Sequence, residues 1–155
     1  MTEAALKADS LVKQLHAAFC RDVDRQDLLR IAAKGITDAG PPYTSVYMYM
    51  LDRSGKNLVL EAFEGRETEH TVIPVGRGLC GRAVRLAQNL NIPDVAAEAS
   101  YLACNLETKS ELIVLIRRHD EILGQIDVDS DVPNGFTTVE ESAVKEIADA
   151  LAALL

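Results

Sequence analysis

Two pairs of strand-like segments, each joined by a short polar turn, constrain this chain more than any other feature. Residues 111–117 and 122–129 are rich in Ile, Leu and Val and flank Arg118-His119-Asp120-Glu121. Upstream, Val46, Met48 and Met50 alternate with Tyr47, Tyr49 and Leu51, and Asp52-Arg53-Ser54-Gly55 leads into residues 57–63. Turns this short join antiparallel neighbours, because a parallel pair needs a crossover of about a dozen residues or more. With further short strands expected at 71–75 and 90–92, the chain predicts a mostly antiparallel sheet of about six strands.

Helices are expected at both ends. Leu6, Leu11, Leu15, Ala18 and Phe19 mark one face of a helix over 3–20. Asp24 can cap a second helix carrying Leu28, Leu29, Ile31, Ala32 and Ile36, stopped by Gly40-Pro41-Pro42. Thr137 and Glu140 form a capping-box pattern that opens a helix to residue 155. Within it Val144, Ile147, Leu151 and Leu154 make a seam that could pack on its own sheet or on a second copy. The expected layout is α+β and one domain over 1–155: N-terminal helices in 1–40, sheet and pocket loops in 43–130, and the C-terminal helix in 137–155.

Composition excludes several classes of function. Of 155 residues, 24 are acidic and 16 basic, a net charge of −8 that repels phosphate backbones, so nucleic acid is not an expected partner. No stretch approaches the roughly 20 apolar residues of a membrane span, and none near the start resembles a signal peptide. The expectation is a cytoplasmic protein. Three cysteines, none close to another, do not form a disulfide framework and suit a reducing compartment.

The chemistry-bearing residues cluster in the middle and late segments. Gly76, Gly78 and Gly81 spell G-x-G-x-x-G before a short helix near 79–88, but neighbouring strands that form hairpins rule out a parallel dinucleotide-binding unit. The glycines instead let a loop turn tightly and bring backbone amides towards a small ligand. Cys80 falls near the helix start beside Arg77 and Arg82, where helix dipole and positive charge would favour thiolate; the alternative is a small residue packed under a loop. Cys104 lies in an irregular stretch over 93–110, long enough to suggest a functional loop. Asp127 and Asp129 leave one face of a strand, and with Glu111 on a neighbouring strand they would suit an ammonium group. Asp127-x-Asp129-x-Asp131 is not a calcium loop, because Val132 and Thr138 stand where glycine and glutamate are needed. His16 and Cys20 share a helix face, but no second pair completes a metal site.

The order of elements, with Ile73-Pro74-Val75-Gly76-Arg77-Gly78-Leu79-Cys80-Gly81, Ala103-Cys104, Ser110-Glu111 and Gly124-Gln125-Ile126-Asp127-Val128-Asp129-Ser130, resembles a GAF domain. More narrowly, it resembles the GAF-type free methionine-(R)-sulfoxide reductases. The resemblance runs from Tyr43 to the C-terminal helix. It implies a PAS-like sheet with the terminal helices on one face and a loop-covered ligand pocket on the other.

The resemblance also implies that Cys104 attacks the sulfoxide sulfur, while Glu111, Asp127 and Asp129 hold the substrate amino group and assist protonation of the oxygen, with Tyr49 as a further pocket residue. A second thiol, Cys80 or an external one, would convert the sulfenic acid to a disulfide before reduction by a thioredoxin-type protein. No metal or organic cofactor is implied. The sequence departs from the reductases at two positions: His70 stands where they carry a cysteine and Ser45 where they carry a tryptophan. Two functions are therefore expected in parallel: an oxidoreductase acting on free methionine sulfoxide, or a stand-alone GAF binding or redox-sensing module in signal transduction, homodimeric through its terminal helices.

Overall fold

The computed structural model describes residues 5–98 and 106–155. Four helices, α1 (Ala8–Cys20), α2 (Arg25–Thr37), α3 (Gly78–Leu86) and α4 (Thr138–Leu154), accompany six strands. The strands are β1 (Ser45–Leu51), β2 (Asn57–Glu64), β3 (Val72–Pro74), β4 (Leu90–Ile92), β5 (Ser110–Arg118) and β6 (Glu121–Ser130), in sheet order β3-β2-β1-β6-β5-β4. Every neighbouring pair is antiparallel, as the short hairpins require.

The caps act as the sequence predicts. Asp24 Oδ1 accepts from Asp27 N at 2.8 Å at the start of α2, and the Thr137/Glu140 capping box opens α4. Helix α1 starts at Ala8, later than the apolar spacing suggests, and Leu6 is buried ahead of it all the same.

Strand pleating sorts the residues into two layers. Val46, Met48, Met50, Leu112, Val114, Ile116, Ile126 and Val128 point to one face and pack against α1, α2 and α4. The intervening residues, among them Tyr47, Tyr49, Ile113 and Leu115, face the other way and are covered by Ile73, Leu79, Ala83 and the segment around α3. Mutual burial of the apolar side chains of the helices and the helix-facing side of the sheet is the dominant stabilising term, at roughly 1.5–3 kcal/mol for each fully buried Val, Leu, Ile or Met before conformational entropy is subtracted.

The C-terminal seam has a different role from the one available to a second copy. Val144, Ile147 and Leu151 are fully buried in the chain's own core with Leu11 and Leu15, and Leu154 packs partly buried against them. Helix α4 therefore spends this stripe on its own sheet and on α1. Of the two roles open to this stripe, packing on the chain's own sheet takes up Val144, Ile147 and Leu151, while Leu154 keeps part of its surface exposed.

Candidate functional site

The second face of the sheet carries the polar cluster. In the β5–β6 ladder Glu111 pairs with Asp129 and Ile113 with Asp127, while in the β1–β6 ladder Tyr47 pairs with Asp127 and Tyr49 with Gln125. All these side chains emerge on the side away from the terminal helices. A small cavity sits over them, and its lining includes Tyr49, His70, Arg77, Cys80, Glu111, Asp127 and Asp129. Five of the six predicted site residues thus converge: Tyr49, Cys80, Glu111, Asp127 and Asp129. The sixth, Cys104, lies outside the described residues.

The glycine run builds the cavity rim. Gly76 and Gly78 have φ of 96° and 66°, which side-chain-bearing residues rarely adopt, and Gly81 lets the loop close on itself. A Cβ on Gly81 would lie 2.6 Å from Pro74 O and 2.8 Å from Gly76 N. The loop's amides are used in that closure: Gly76 N donates to Gly81 O, Arg77 N to Pro74 O and Gly81 N to Arg77 O. The expectation that backbone amides here reach towards a ligand is corrected for these three, because a tight loop needs its own hydrogen bonds.

Cys80 follows in the first turn of α3, buried, with Sγ 3.3 Å from Asp127 Oδ2. Gln125 Nε2 donates to Cys80 O at 3.0 Å and ties the helix start to β6. Burial first, then the negative fields of Asp127 and Glu111, push the Cys80 thiol well above its ordinary range. This reverses the expected activation. Arg77 is exposed and Arg82 pairs with Glu98 at 3.3 Å, so the carboxylates, not the arginines, decide the local charge.

The three acids are as buried as the surrounding core, with exposures of 4% for Glu111 and 5% each for Asp127 and Asp129. Burial raises the pKa of Asp127, opposed by hydrogen bonds from Glu111 and Cys80. Burial and then the charge of Asp127 raise that of Asp129, with Arg66 acting in the opposite sense. A hydrogen bond between the carboxyl groups of Glu111 and Asp127 requires a proton between them. Oδ1 of Asp127 and Oδ1 of Asp129 are fully buried with no hydrogen-bond partner among the described residues. Such acceptors are costly to leave unpaired and favour a ligand that brings donors, above all an ammonium group.

Above the acids, Tyr49 Oη donates to His70 O at 2.6 Å and Tyr47 Oη to Arg66 O at 2.6 Å, pinning the 65–70 segment over the cavity. Arg66 also grips Asp131 through two hydrogen bonds of 2.7 and 2.6 Å and Glu107 at 2.8 Å. Ser45, the position of a tryptophan in the reductases, is 2% exposed and its Oγ accepts from Arg66 N at 3.0 Å. Sequence reading missed Gln125 and Arg66. The alternation Gln125, Asp127, Asp129 could have revealed the first, since all three share one face; nothing local signals the second.

Known proteins resemble the chain along most of its length. The protein YtsP of Bacillus subtilis is 30% identical over 91% of this chain and 86% of its own. The free methionine-R-sulfoxide reductase of Escherichia coli is 35% identical over 63% of this chain, which spans 59% of that enzyme's length. The structure of a type II free methionine-R-sulfoxide reductase from Thermoplasma acidophilum superposes with a TM-score of 0.79 at 36% identity, covering 84% of this chain and 91% of that one. The GAF domain family itself matches residues 24–155. With the antiparallel sheet, the terminal helices on one face and the loop-roofed polar cavity on the other, this chain belongs to the GAF domain family.

Proposed function

We propose that this protein reduces free methionine-(R)-sulfoxide to methionine with electrons from a thiol reductant. The observation that carries the reading is the pair of buried, unpartnered oxygens, Asp127 Oδ1 and Asp129 Oδ1, beside Glu111 on the cavity floor. A free amino acid supplies the missing donors through its ammonium group, with three N–H bonds and a positive charge; a residue inside a polypeptide offers only one neutral amide N–H. Relatives named for this activity in Escherichia coli and Thermoplasma acidophilum support the same substrate.

In this reading Cys104 is the nucleophile. Its sulfur attacks the sulfoxide sulfur, the S–O bond breaks, the oxygen leaves on Cys104 as a sulfenic acid, and methionine is released two electrons richer. A proton held between the buried carboxyl groups is available to the sulfoxide oxygen as that bond weakens. A second thiol then displaces water from the sulfenic acid to form a disulfide, and a thioredoxin-type dithiol reduces it. His70 cannot supply that thiol, so Cys80 or an external thiol does. The cycle needs a reducing compartment such as the cytoplasm.

A second reading is a GAF ligand-binding or redox-sensing module in signal transduction, acting as a homodimer on a partner. It is favoured by Ser45, which is tied to Arg66 and supplies no apolar wall where the reductases have tryptophan. Purified protein mixed with methionine-(R)-sulfoxide and dithiothreitol distinguishes the two. Methionine formation that disappears in Cys104→Ser is the expected result; no methionine from folded wild-type protein leaves the binding module.

A further inference from the structure

We propose that Cys80, Glu111 and Asp127 form a binding site for a single thiophilic divalent cation of the Zn²⁺ class, with its fourth position open to the cavity. One potential ligand atom from each residue, the Cys80 sulfur and one carboxylate oxygen each from Glu111 and Asp127, lies within 4.8 Å of the others. The three residues come from three elements, α3, β5 and β6, all well packed, and each is more than nine-tenths buried. Around tetrahedral zinc, with Zn–S near 2.3 Å and Zn–O near 2.1 Å, a sulfur–oxygen edge spans roughly 3.6 Å. The Cys80 Sγ to Asp127 Oδ2 edge is 3.3 Å, so side-chain adjustments of about an ångström close the triangle.

An acidic cluster alone would not define a site. The independent observation is the pair of fully buried oxygens without a partner, Asp127 Oδ1 and Asp129 Oδ1, which line the same pocket floor. With Asp127 Oδ2 on the cation, Asp127 Oδ1 and Asp129 Oδ1 remain as acceptors for a metal-bound water. A sulfur with two carboxylates selects a borderline or soft cation and disfavours Mg²⁺ and Ca²⁺, which take oxygen donors only. Binding forms a metal–sulfur bond as the Cys80 proton leaves for solvent, with no change of oxidation state. The sequence offered no metal at this place, because the residues are far apart along the chain. Binding does not depend on the reductase reading. If that reading holds, the cation occupies the ground of the substrate ammonium and acts as an inhibitor, not a cofactor.

Co²⁺ titration of the reduced full chain tests the site without any sulfoxide. The double variant Cys20→Ser/Cys104→Ser leaves Cys80 as the sole thiol. It should bind one Co²⁺ per chain with a thiolate-to-cobalt charge-transfer band in the near ultraviolet, and Zn²⁺ should bleach that band. Cys80→Ser should abolish the band, and Asp127→Asn, which keeps the thiol and the side-chain shape, should weaken binding by about 10–100-fold or more. No band from the folded sole-thiol protein, or a band that Asp127→Asn leaves unchanged, overturns the proposal. Because neither result involves methionine formation, failure here is separable from failure of the reductase reading.

Discussion

Cys80 Sγ and Asp127 Oδ2 stand 3.3 Å apart although 47 residues separate them in the chain. The contact puts a thiol against a buried carboxyl group: the carboxyl group makes ionisation of the thiol harder, while the thiol's hydrogen bond favours ionisation of the carboxyl against the larger opposing effect of burial. Cys80 is therefore a sheltered thiol whose ionisation is disfavoured.

That sheltering predicts an order of modification. Cys20 is exposed, whereas Cys80 is buried and its thiol is pushed up by burial and the neighbouring acids. Brief treatment of the folded protein with iodoacetamide at neutral pH should alkylate Cys20 and leave Cys80 intact until denaturant is added. Peptide mass spectrometry reads both sites; fast labelling of Cys80 in the folded state would refute the assignment.

Asp127→Asn should weaken binding of free methionine sulfoxide. It removes the negative charge that faces the ammonium, a charge-assisted hydrogen bond worth about 1.5–3 kcal/mol, so the affinity loss should be roughly ten- to a hundredfold. Calorimetry on both proteins checks this, with circular dichroism to confirm the fold. An N-acetylated sulfoxide, lacking the ammonium, should bind wild-type protein poorly and show little difference between the two.

The same acids predict a pH dependence of stability. The folded pKa values of Asp127 and Asp129 are raised above the ordinary carboxylate value near 3.8, so the native state holds protons that the unfolded chain has released. Stability from these groups is fully present below that value and is lost as pH rises through their raised folded values. Asp131, lowered by its hydrogen bonds with Arg66, acts with the opposite sign in more acidic solution. The difference in urea midpoint between wild type and Asp127→Asn/Asp129→Asn isolates the buried pair. The double variant should gain relative to wild type as pH increases from about 4 into the neutral range.

Gly81→Ala should destabilise the loop that carries Cys80. The new methyl would meet Pro74 O and Gly76 N, backbone atoms that cannot move aside as a side chain end can. An overpacking cost of about 1–3 kcal/mol is expected, read as a lower urea midpoint with little change in slope. An unchanged midpoint would mean that the loop relaxes freely.

Much of this architecture is legible in the chain because its signals are local. Two-residue alternation marks the first strand, Ile-, Leu- and Val-rich runs around a short polar turn mark the two longest, and Asp24, Thr137 and Glu140 mark two helix starts. The common face of Asp127 and Asp129 follows from strand pleating alone. The start of α1 is less legible, since apolar spacing continues through Leu6 although the helix begins at Ala8.

What depended on tertiary structure is the environment of each group. Position near a helix start, beside two arginines, suggests an activated Cys80; the fold buries it against Asp127 and Glu111, whose charges dominate. The α4 seam reads as an apolar stripe, and only packing shows that Val144, Ile147 and Leu151 are buried against its own sheet and α1. By itself the sequence determined the strands, the caps and which acids share a face, because these follow from backbone geometry over a few residues. Tertiary structure alone decided which charges meet and which surfaces are spent, because electrostatics and burial depend on distances in space between residues far apart in the chain.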